Sequence, residues 1–287
     1  MIDKQYQEIQ CPAFSTFEKK PLELYYFIDP LCPECWALEP VIKKLLVEYG
    51  HYFTLTYVIG GNLSVIPSTL KRKPNGFGRA IRRECIDCGE PSELKTNLPP
   101  AHLVSCAIKA AELQGRRAGI RYLQKFREYY FINHEKIFDD EILLRCAEES
   151  GLDVAEFMRD LYSETTAHAF QCDLKIIREM EVTILPTIVF FNDHVEEDGI
   201  KVQGVYPYEV YTEVFTNVLG RHPVSHPLPP LDGILKYFHL LSSWEIACIY
   251  DWPVVDVEKK MQRLLLQNLA EKIQSPYGTF WRYIGSR

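Results

Sequence analysis

The sequence of 287 residues lacks any long apolar run, and this absence argues against an integral membrane protein. No stretch approaches the roughly 18 consecutive apolar residues that a membrane-spanning helix needs. The first twenty residues are polar and contain no apolar core of a secretory signal. We therefore expect a soluble protein of the cytoplasm, with no membrane partner.

Positive charge is also scarce: 32 Lys and Arg stand against 39 Asp and Glu, a formal net charge of −7. A general binder of polyanions needs the opposite balance, because phosphate contacts dominate its affinity. The eight histidines form no cluster with metal-ligand spacing, and His222 and His226 lie in a Pro-rich stretch that cannot be helical. Hydrophobic residues make up 47% of the chain, enough for one large and one small domain.

The nine cysteines are odd in number and mostly scattered, so they do not form a disulfide framework, and a reducing cytosol is expected. Cys85 and Cys88 form a CxxC pair in a turn-like setting, for which three readings stay open. First, they are weak metal-ligand candidates that either share a zinc ion with another cysteine pair or form a separate site. Second, they form a local disulfide. Third, they belong to a loop without a special role. Four cysteines among apolar residues of predicted helices are expected to be small buried thiols: Cys106, Cys146, Cys172 and Cys248.

One short motif carries redox chemistry, the sequence Cys32-Pro-Glu-Cys35. The run 22–28 before it is rich in aromatic and aliphatic residues and predicts a buried strand. After it, apolar residues at three- and four-residue spacing predict an amphipathic helix that ends near Gly50. The motif thus lies at a helix N-terminus, where free N–H groups favour a thiolate at Cys32. The carboxylate of Glu34 opposes that thiolate, so we expect weak redox activity.

The order of the predicted elements indicates an α/β fold, a thioredoxin-like domain of the DsbA type with a helical insertion. A second strand precedes Gly60-Gly61, and helical patterns without strand signal then run from 101 to 180. The next strand begins after Thr-Ile-Leu-Pro186, which fits the cis-proline that faces the CxxC in thioredoxin folds. Cys32, Cys35 and Pro186 are therefore the candidate redox site.

The end of the chain predicts a separate small domain beyond a segment with four prolines, which should form a semi-rigid linker. Three helices and a hairpin are indicated there, as in a winged helix-turn-helix. From Leu231 onward, seven Lys and Arg stand against six Asp and Glu, too small an excess for DNA binding. The predicted division is an N-terminal tail 1–20, a DsbA-like domain 21–220 with its helical insertion at about 62–180, a linker 221–230 and a winged-helix-like domain 231–287.

Longer stretches resemble one known family. The segment 29–45, Asp-Pro-Leu-Cys-Pro-Glu-Cys-Trp-Ala-Leu-Glu-Pro-Val-Ile-Lys-Lys-Leu, resembles the signature of the SpxH (YjbH) family of ClpXP adapter proteins from low-GC Gram-positive bacteria. The resemblance covers nearly the whole chain from Pro21. It continues through Lys109-Ala-Ala-Glu-Leu-Gln-Gly-Arg, Gln171-Cys-Asp-Leu-Lys, Pro186-Thr, Gly204-Val-Tyr-Pro-Tyr-Glu-Val-Tyr and Gly278-Thr-Phe-Trp-Arg-Tyr.

This resemblance implies a DsbA-like domain followed by a winged-helix-like domain, without enzymatic activity or a cofactor. The implied function is to bind the redox-responsive transcription regulator Spx and to present it to the ClpXP protease. Members of the family often begin with a His- and Cys-rich stretch proposed to hold zinc. Only Cys11 stands in that region here, which argues against a metal there.

Two other functions stay open on the residues themselves. Cys32, Cys35 and Pro186 fit a thiol–disulfide oxidoreductase of the DsbA or FrnE type, and residual activity of that kind is compatible with an adapter. A winged-helix regulator with a redox sensor is the third hypothesis, and the small charge excess of 231–287 disfavours it.

Overall fold

The computed structural model describes residues 20–60, 100–135, 139–193 and 199–285. Cys11 and the Cys85–Cys88 pair lie outside the described residues, as does most of the predicted N-terminal tail. None of the described helices has the length and apolar composition to cross a membrane.

A four-stranded mixed sheet forms the centre of residues 20–220, which we call the thioredoxin-like region. Its strand order is β2-β1-β3-β4, with β1 parallel to β2 and β3 antiparallel to both β1 and β4. The strand β1 consists almost entirely of aromatic and aliphatic residues, and it is central in the sheet and largely buried. The bounds are β1 Leu22–Ile28, β2 Phe53–Ile59, β3 Thr187–Asn192 and β4 Ile200–Gln203.

Two helices follow β1 where the sequence predicts one. The first, α1, spans Pro33–Ala37, and α2 spans Glu39–Tyr49. They meet at Leu38 because Pro40 has no N–H to continue the hydrogen-bond ladder of α1. The N–H of Gly50 bonds to the carbonyl of Leu46 at 3.0 Å, so α2 ends where the sequence predicts.

The helical insertion between β2 and β3 is present in the described residues. Burial of one apolar face of each helix against the sheet and against its neighbours holds it together. Asp139, Asp153 and Ser163 cap three of these helices with side-chain oxygens. The elements are α3 Pro100–Leu113, α4 Arg116–Arg127, a π-helix Glu128–Ile132, α5 Asp140–Glu149, α6 Val154–Leu161 and α7 Glu164–Glu179.

The last helix of the thioredoxin-like region, α8, spans Tyr208–Leu219 and ends at Gly220, whose φ of 71° is the left-handed conformation that favours glycine. Residues 221–230 then run without helix or strand. This linker is tied to the end of α2: the N–H of His226 donates to the carbonyl of Glu48 at 2.8 Å. The N–H of Val224 donates to the Tyr52 hydroxyl at 3.2 Å.

Residues 231–285, which we call the C-terminal region, contain the three predicted helices and the predicted hairpin. A short strand, β5, for which the sequence pattern gives no signal, pairs with β7 to give the sheet order β5-β7-β6. Ser242 and Glu245 form a complete capping box at the start of α10. The bounds are α9 Leu231–Phe238, β5 Leu240–Ser242, α10 Ser243–Tyr250, α11 Val254–Leu266, β6 Ala270–Ser275 and β7 Gly278–Tyr283.

Candidate functional site

The CxxC motif lies just beyond the carboxyl end of β1, where the chain turns into α1. Cys32 is the N-cap residue of that helix: its N–H donates to the Asp29 carbonyl at 3.1 Å, and its own carbonyl accepts from the N–H of Trp36 at 3.2 Å. Cys32 is only 6% exposed, and Cys35 is completely buried. Both are free thiols. The predicted strand–CxxC–helix arrangement is therefore present, with little of either sulfur open to solvent.

Each thiol of the motif has a defined neighbour. The Cys32 Sγ donates to Glu34 Oε2 at 3.3 Å, a bond that only the protonated thiol can make with a carboxylate. The Cys35 Sγ accepts from the backbone N–H of Asp29 at 3.4 Å. Burial, and after it the neighbouring Cys32 thiol, raise the pKa of Cys35 well above its usual range. The thiol of Cys35 is therefore protonated at neutral pH.

The third predicted site residue lies on the neighbouring strand. The Leu185–Pro186 peptide bond is cis, as the sequence predicts. The first residue of β3, Thr187, is paired with Phe27, so the start of β3 lies beside the end of β1. The Pro186 carbonyl is held by the N–H of Gly204 at 2.7 Å. The side chain of Leu185 packs against the core cluster that contains both cysteines.

A buried ion pair that sequence reasoning missed lies close to the motif. Arg127 Nη1 donates to Glu39 Oε1 at 2.5 Å, and both side chains are buried. Burial opposes the charge on Arg127, but the adjacent Glu39 outweighs that effect and the pKa of Arg127 is raised. Burial and Glu39 together raise the pKa of Tyr26, whose hydroxyl donates to the Cys35 carbonyl at 2.8 Å. The pair therefore joins the end of α4 to the start of α2.

Trp36, the residue after the motif, faces the C-terminal region. Its ring stacks on Phe131 at 4.4 Å with 12° between the planes, and on Phe280 at 6.0 Å with 9°. Tyr277 meets the same ring edge-on at 5.8 Å. Tyr277 lies in the turn of the β6–β7 hairpin, and Phe280 lies in β7. The hairpin thus packs directly on the turn of helix that carries Cys35.

Charged pairs join the same two regions along α2. The adjacent residues Lys43 and Lys44 bind Glu245 and Asp251, the latter at 2.6 Å. Neither lysine is exposed, since their side chains keep only 10% and 6% of their accessible surface. Arg282 of β7 also bonds to Glu128 Oε1 of the π-helix at 2.5 Å. The relative position of the two regions is therefore fixed by direct packing as well as by the linker.

The remaining cysteines differ in their surroundings. Cys106 and Cys146 are buried, as expected, and Cys248 is half-buried. The expectation for Cys172 is wrong: it is exposed, with its Sγ 3.7 Å from Nδ1 of His168 one turn earlier on α7. Across the described ranges, no three His, Cys, Asp or Glu side chains converge on a common metal position.

Comparisons with known proteins point to one family. The family model described as Thioredoxin matches residues 25–213. A protein of Halalkalibacterium halodurans named "ClpXP adapter protein SpxH" is 41% identical over 277 residues, which covers 93% of this chain and 90% of that protein. Proteins of the same name from Bacillus licheniformis and Bacillus subtilis are 42% and 39% identical, each over 93% of this chain and 90% and 91% of their own length.

Solved structures resemble the chain in fold. A putative protein disulfide isomerase from Nitrosomonas europaea superposes with a TM-score of 0.53 at 19% identity, over 71% of this chain and all of that one. A probable DsbA oxidoreductase from Streptomyces coelicolor gives a TM-score of 0.50 at 18% identity, over 74% and 94% of the two chains. At such identities the likeness shows the DsbA-type thioredoxin fold and nothing about activity.

Proposed function

Because the chain belongs to the SpxH family, whose members are named ClpXP adapter proteins, we propose that it delivers a protein substrate to the ClpXP protease. The observation that carries this proposal is the extent of the similarity. Identity of about 40% extends over 93% of the chain and so includes both the thioredoxin-like and the C-terminal region. A shared fold alone would reach only the first of these.

The geometry of the CxxC motif supports an adapter better than an enzyme. An oxidoreductase must admit a substrate disulfide to an exposed, ionised first cysteine. Here Cys32 is 6% exposed and donates to a carboxylate, and the adjacent Trp36 is covered by the β6–β7 hairpin. The surface beside the CxxC motif, which an oxidoreductase would leave open to its substrate, is thus packed against the C-terminal region.

We further propose that the delivered substrate is a transcription regulator of the Spx type, in the cytoplasm, and that both regions contact it. On this proposal residues 21–220 form a DsbA-like domain and 231–287 a winged-helix-like domain used for protein contact. The rigid connection of the two regions through Lys43, Lys44 and Trp36 supports a two-part binding surface. A preformed surface loses less conformational entropy on binding than two loosely tethered ones.

A degradation assay tests the proposal. Purified protein, Spx and ClpXP are combined, and loss of Spx is followed with and without the adapter. We expect faster loss with the adapter, and nearly the same acceleration from the variant carrying Cys32→Ala and Cys35→Ala. Equal rates of Spx loss with and without the wild-type protein would refute the adapter function.

The second candidate is a thiol–disulfide oxidoreductase of the DsbA or FrnE type, which the free thiols of Cys32 and Cys35 and the cis Leu185–Pro186 bond support. An insulin-reduction assay run beside the degradation assay distinguishes the two. We expect insulin reduction close to the rate of the double-cysteine variant. Rapid insulin reduction that is lost in the double-cysteine variant, together with no effect on the rate of Spx degradation, would favour the enzyme.

A further inference from the structure

The C-terminal region is packed on the CxxC motif through one side chain. Trp36 follows Cys35 directly and is 7% exposed, with its ring enclosed by Phe131, Phe280 and Tyr277. Its parallel stack on Phe280 comes from the C-terminal side of the interface, and the stack on Phe131 from the thioredoxin-like side. Protein interiors are close-packed, so a displacement of this ring must disturb its partners.

The position of Trp36 depends in turn on the two thiols. The helix α1 is barely more than one turn long, and the Trp36 N–H bonds to the carbonyl of Cys32. In the dithiol, Cys32 donates to Glu34. A disulfide removes that proton and imposes a Cβ–Cβ separation of about 3.8 Å with a dihedral near 90°. On oxidation the turn that carries Trp36 therefore loses the Cys32–Glu34 hydrogen bond and gains a covalent constraint.

We propose that the oxidation state of the Cys32–Cys35 pair is thermodynamically linked to docking of the C-terminal region, with the dithiol favouring the docked arrangement and the disulfide weakening it. The linkage makes the buried pair a redox site that acts on domain packing instead of on a substrate. Only its use as a control of substrate delivery rests on the proposed adapter function.

The chemical step is thiol–disulfide exchange with a low-molecular-weight disulfide. The Cys32 thiolate attacks one sulfur of that disulfide, whose S–S bond breaks and releases one thiolate. Deprotonated Cys35 then attacks the Cys32 sulfur and displaces the second thiolate. Two protein thiols are oxidised, one small disulfide is reduced to two thiols, and no other reactant is needed.

Linkage is reciprocal, which makes the proposal measurable at the cysteines. If the disulfide weakens docking by some factor, docking disfavours the disulfide by the same factor. A factor of ten corresponds to about 30 mV in the reduction potential of a two-electron couple. Variants that undock the C-terminal region should therefore have a more negative Cys32–Cys35 potential, by about 30 mV for each factor of ten in the linkage.

The experiment measures that potential in the full-length chain equilibrated with dithiothreitol buffers of known ratio. Differential alkylation followed by mass spectrometry of the peptide that contains Cys32 and Cys35 keeps the other cysteines out of the signal. The undocking variants are Phe280→Ala, which removes the ring stacked on Trp36, and Arg282→Gln, which removes the ion pair with Glu128.

Two control variants alter the same region without touching the Trp36 cluster. Tyr283→Ala lies on the same strand as Phe280 but packs against the other core of the C-terminal region. Arg263→Gln changes an exposed arginine of α11 that forms no ion pair in the described part of the chain. Neither control should move the potential by more than about 10 mV, a factor of about two.

The proposal predicts more negative potentials for Phe280→Ala and Arg282→Gln alone. If Phe280→Ala unfolds the C-terminal region, that region is also undocked and the same shift is expected. Equal potentials in all five proteins, a shift to less negative values, or equal shifts in the controls would overturn the linkage. No substrate or protease is present, so failure of the adapter function in the degradation assay leaves this result standing, and the reverse also holds.

Discussion

The ion pair between Lys43 and Glu245 should contribute strongly to the packing of the C-terminal region on α2. Both side chains are at least nine-tenths buried, and Glu245 also accepts from the Ser242 N–H at 2.6 Å in the capping box. Removing one partner of a buried pair leaves an uncompensated charge and typically costs about 3 kcal/mol or more. Glutamine can still form a capping box, so Glu245→Gln tests the charge with little effect on the helix.

A double-mutant cycle separates the pair from its surroundings. We expect Lys43→Met and Glu245→Gln each to lower the free energy of unfolding by about 3 kcal/mol. The double variant should cost about 3 kcal/mol instead of 6, which gives a coupling energy of about 3 kcal/mol. Urea denaturation followed by tryptophan fluorescence and by hydrogen exchange of α10 measures it.

The exposed pair Asp256–Lys259 on α11, with side chains 52% and 72% exposed, provides the matched control. Its coupling should be at most about 0.5 kcal/mol and should disappear at high salt. A Lys43–Glu245 coupling as small as that of the control would refute the reasoning, because it would mean that the interface opens and solvates both charges.

Three further predictions concern the thiols, pH and DNA. Glu34→Ala should speed iodoacetamide alkylation of Cys32 about fivefold at pH 7, because it removes the acceptor and with it about 1 kcal/mol of hydrogen bonding to the thiol. Alkylation of Cys172 in the same sample should stay constant. Burial, and after it His226, lower the pKa of His51. The free energy of unfolding should therefore be greatest above pH 6.5 and fall as the pH drops below that value, less steeply in His226→Gln. Urea unfolding midpoints that do not change between pH 5 and 8 would contradict this prediction. The full-length protein should bind duplex DNA no tighter than micromolar at low salt, and a sub-micromolar affinity with a steep salt dependence would restore the regulator hypothesis.

The sequence predicts the parts of this fold that depend on local pattern. The apolar runs specify β1, β2 and β3, the helix after the CxxC motif ends at Gly50, and the proline at the start of β3 is cis. The break at Leu38 was missed because the apolar spacing continues across Pro40. The strand β5 has only three residues, too few for an alternating pattern.

The sequence predicts the cysteines and the proline of the candidate site but not the buried ion pair beside them. Cys32, Cys35 and Pro186 follow from motif and context, but Glu39 and Arg127 look like solvated charges in a sequence. The sequence signal for Glu39 is that it directly follows the apolar run Trp36-Ala-Leu38, which is buried in the structure. The partners of Lys43 and Lys44 lie about 200 residues away, and no local rule connects them. Cys172 was misplaced because its apolar neighbours in sequence face the other side of α7.

The helix α2 contributes to two hydrophobic cores, one in each region of the molecule. Ile42 and Leu45 are part of the core under the sheet, whereas Val47 is part of the core of the C-terminal region. Neither half of the chain is therefore a self-contained module that could be exchanged between relatives or expressed alone without loss. A truncation before Leu231 would expose Val47, Trp36 and the two lysines to water. If such a truncated protein failed to deliver its substrate, the result would show only that α2 had lost its packing against the C-terminal region. Chimeras should instead carry α2 together with the C-terminal region that it fits, as one inherited unit.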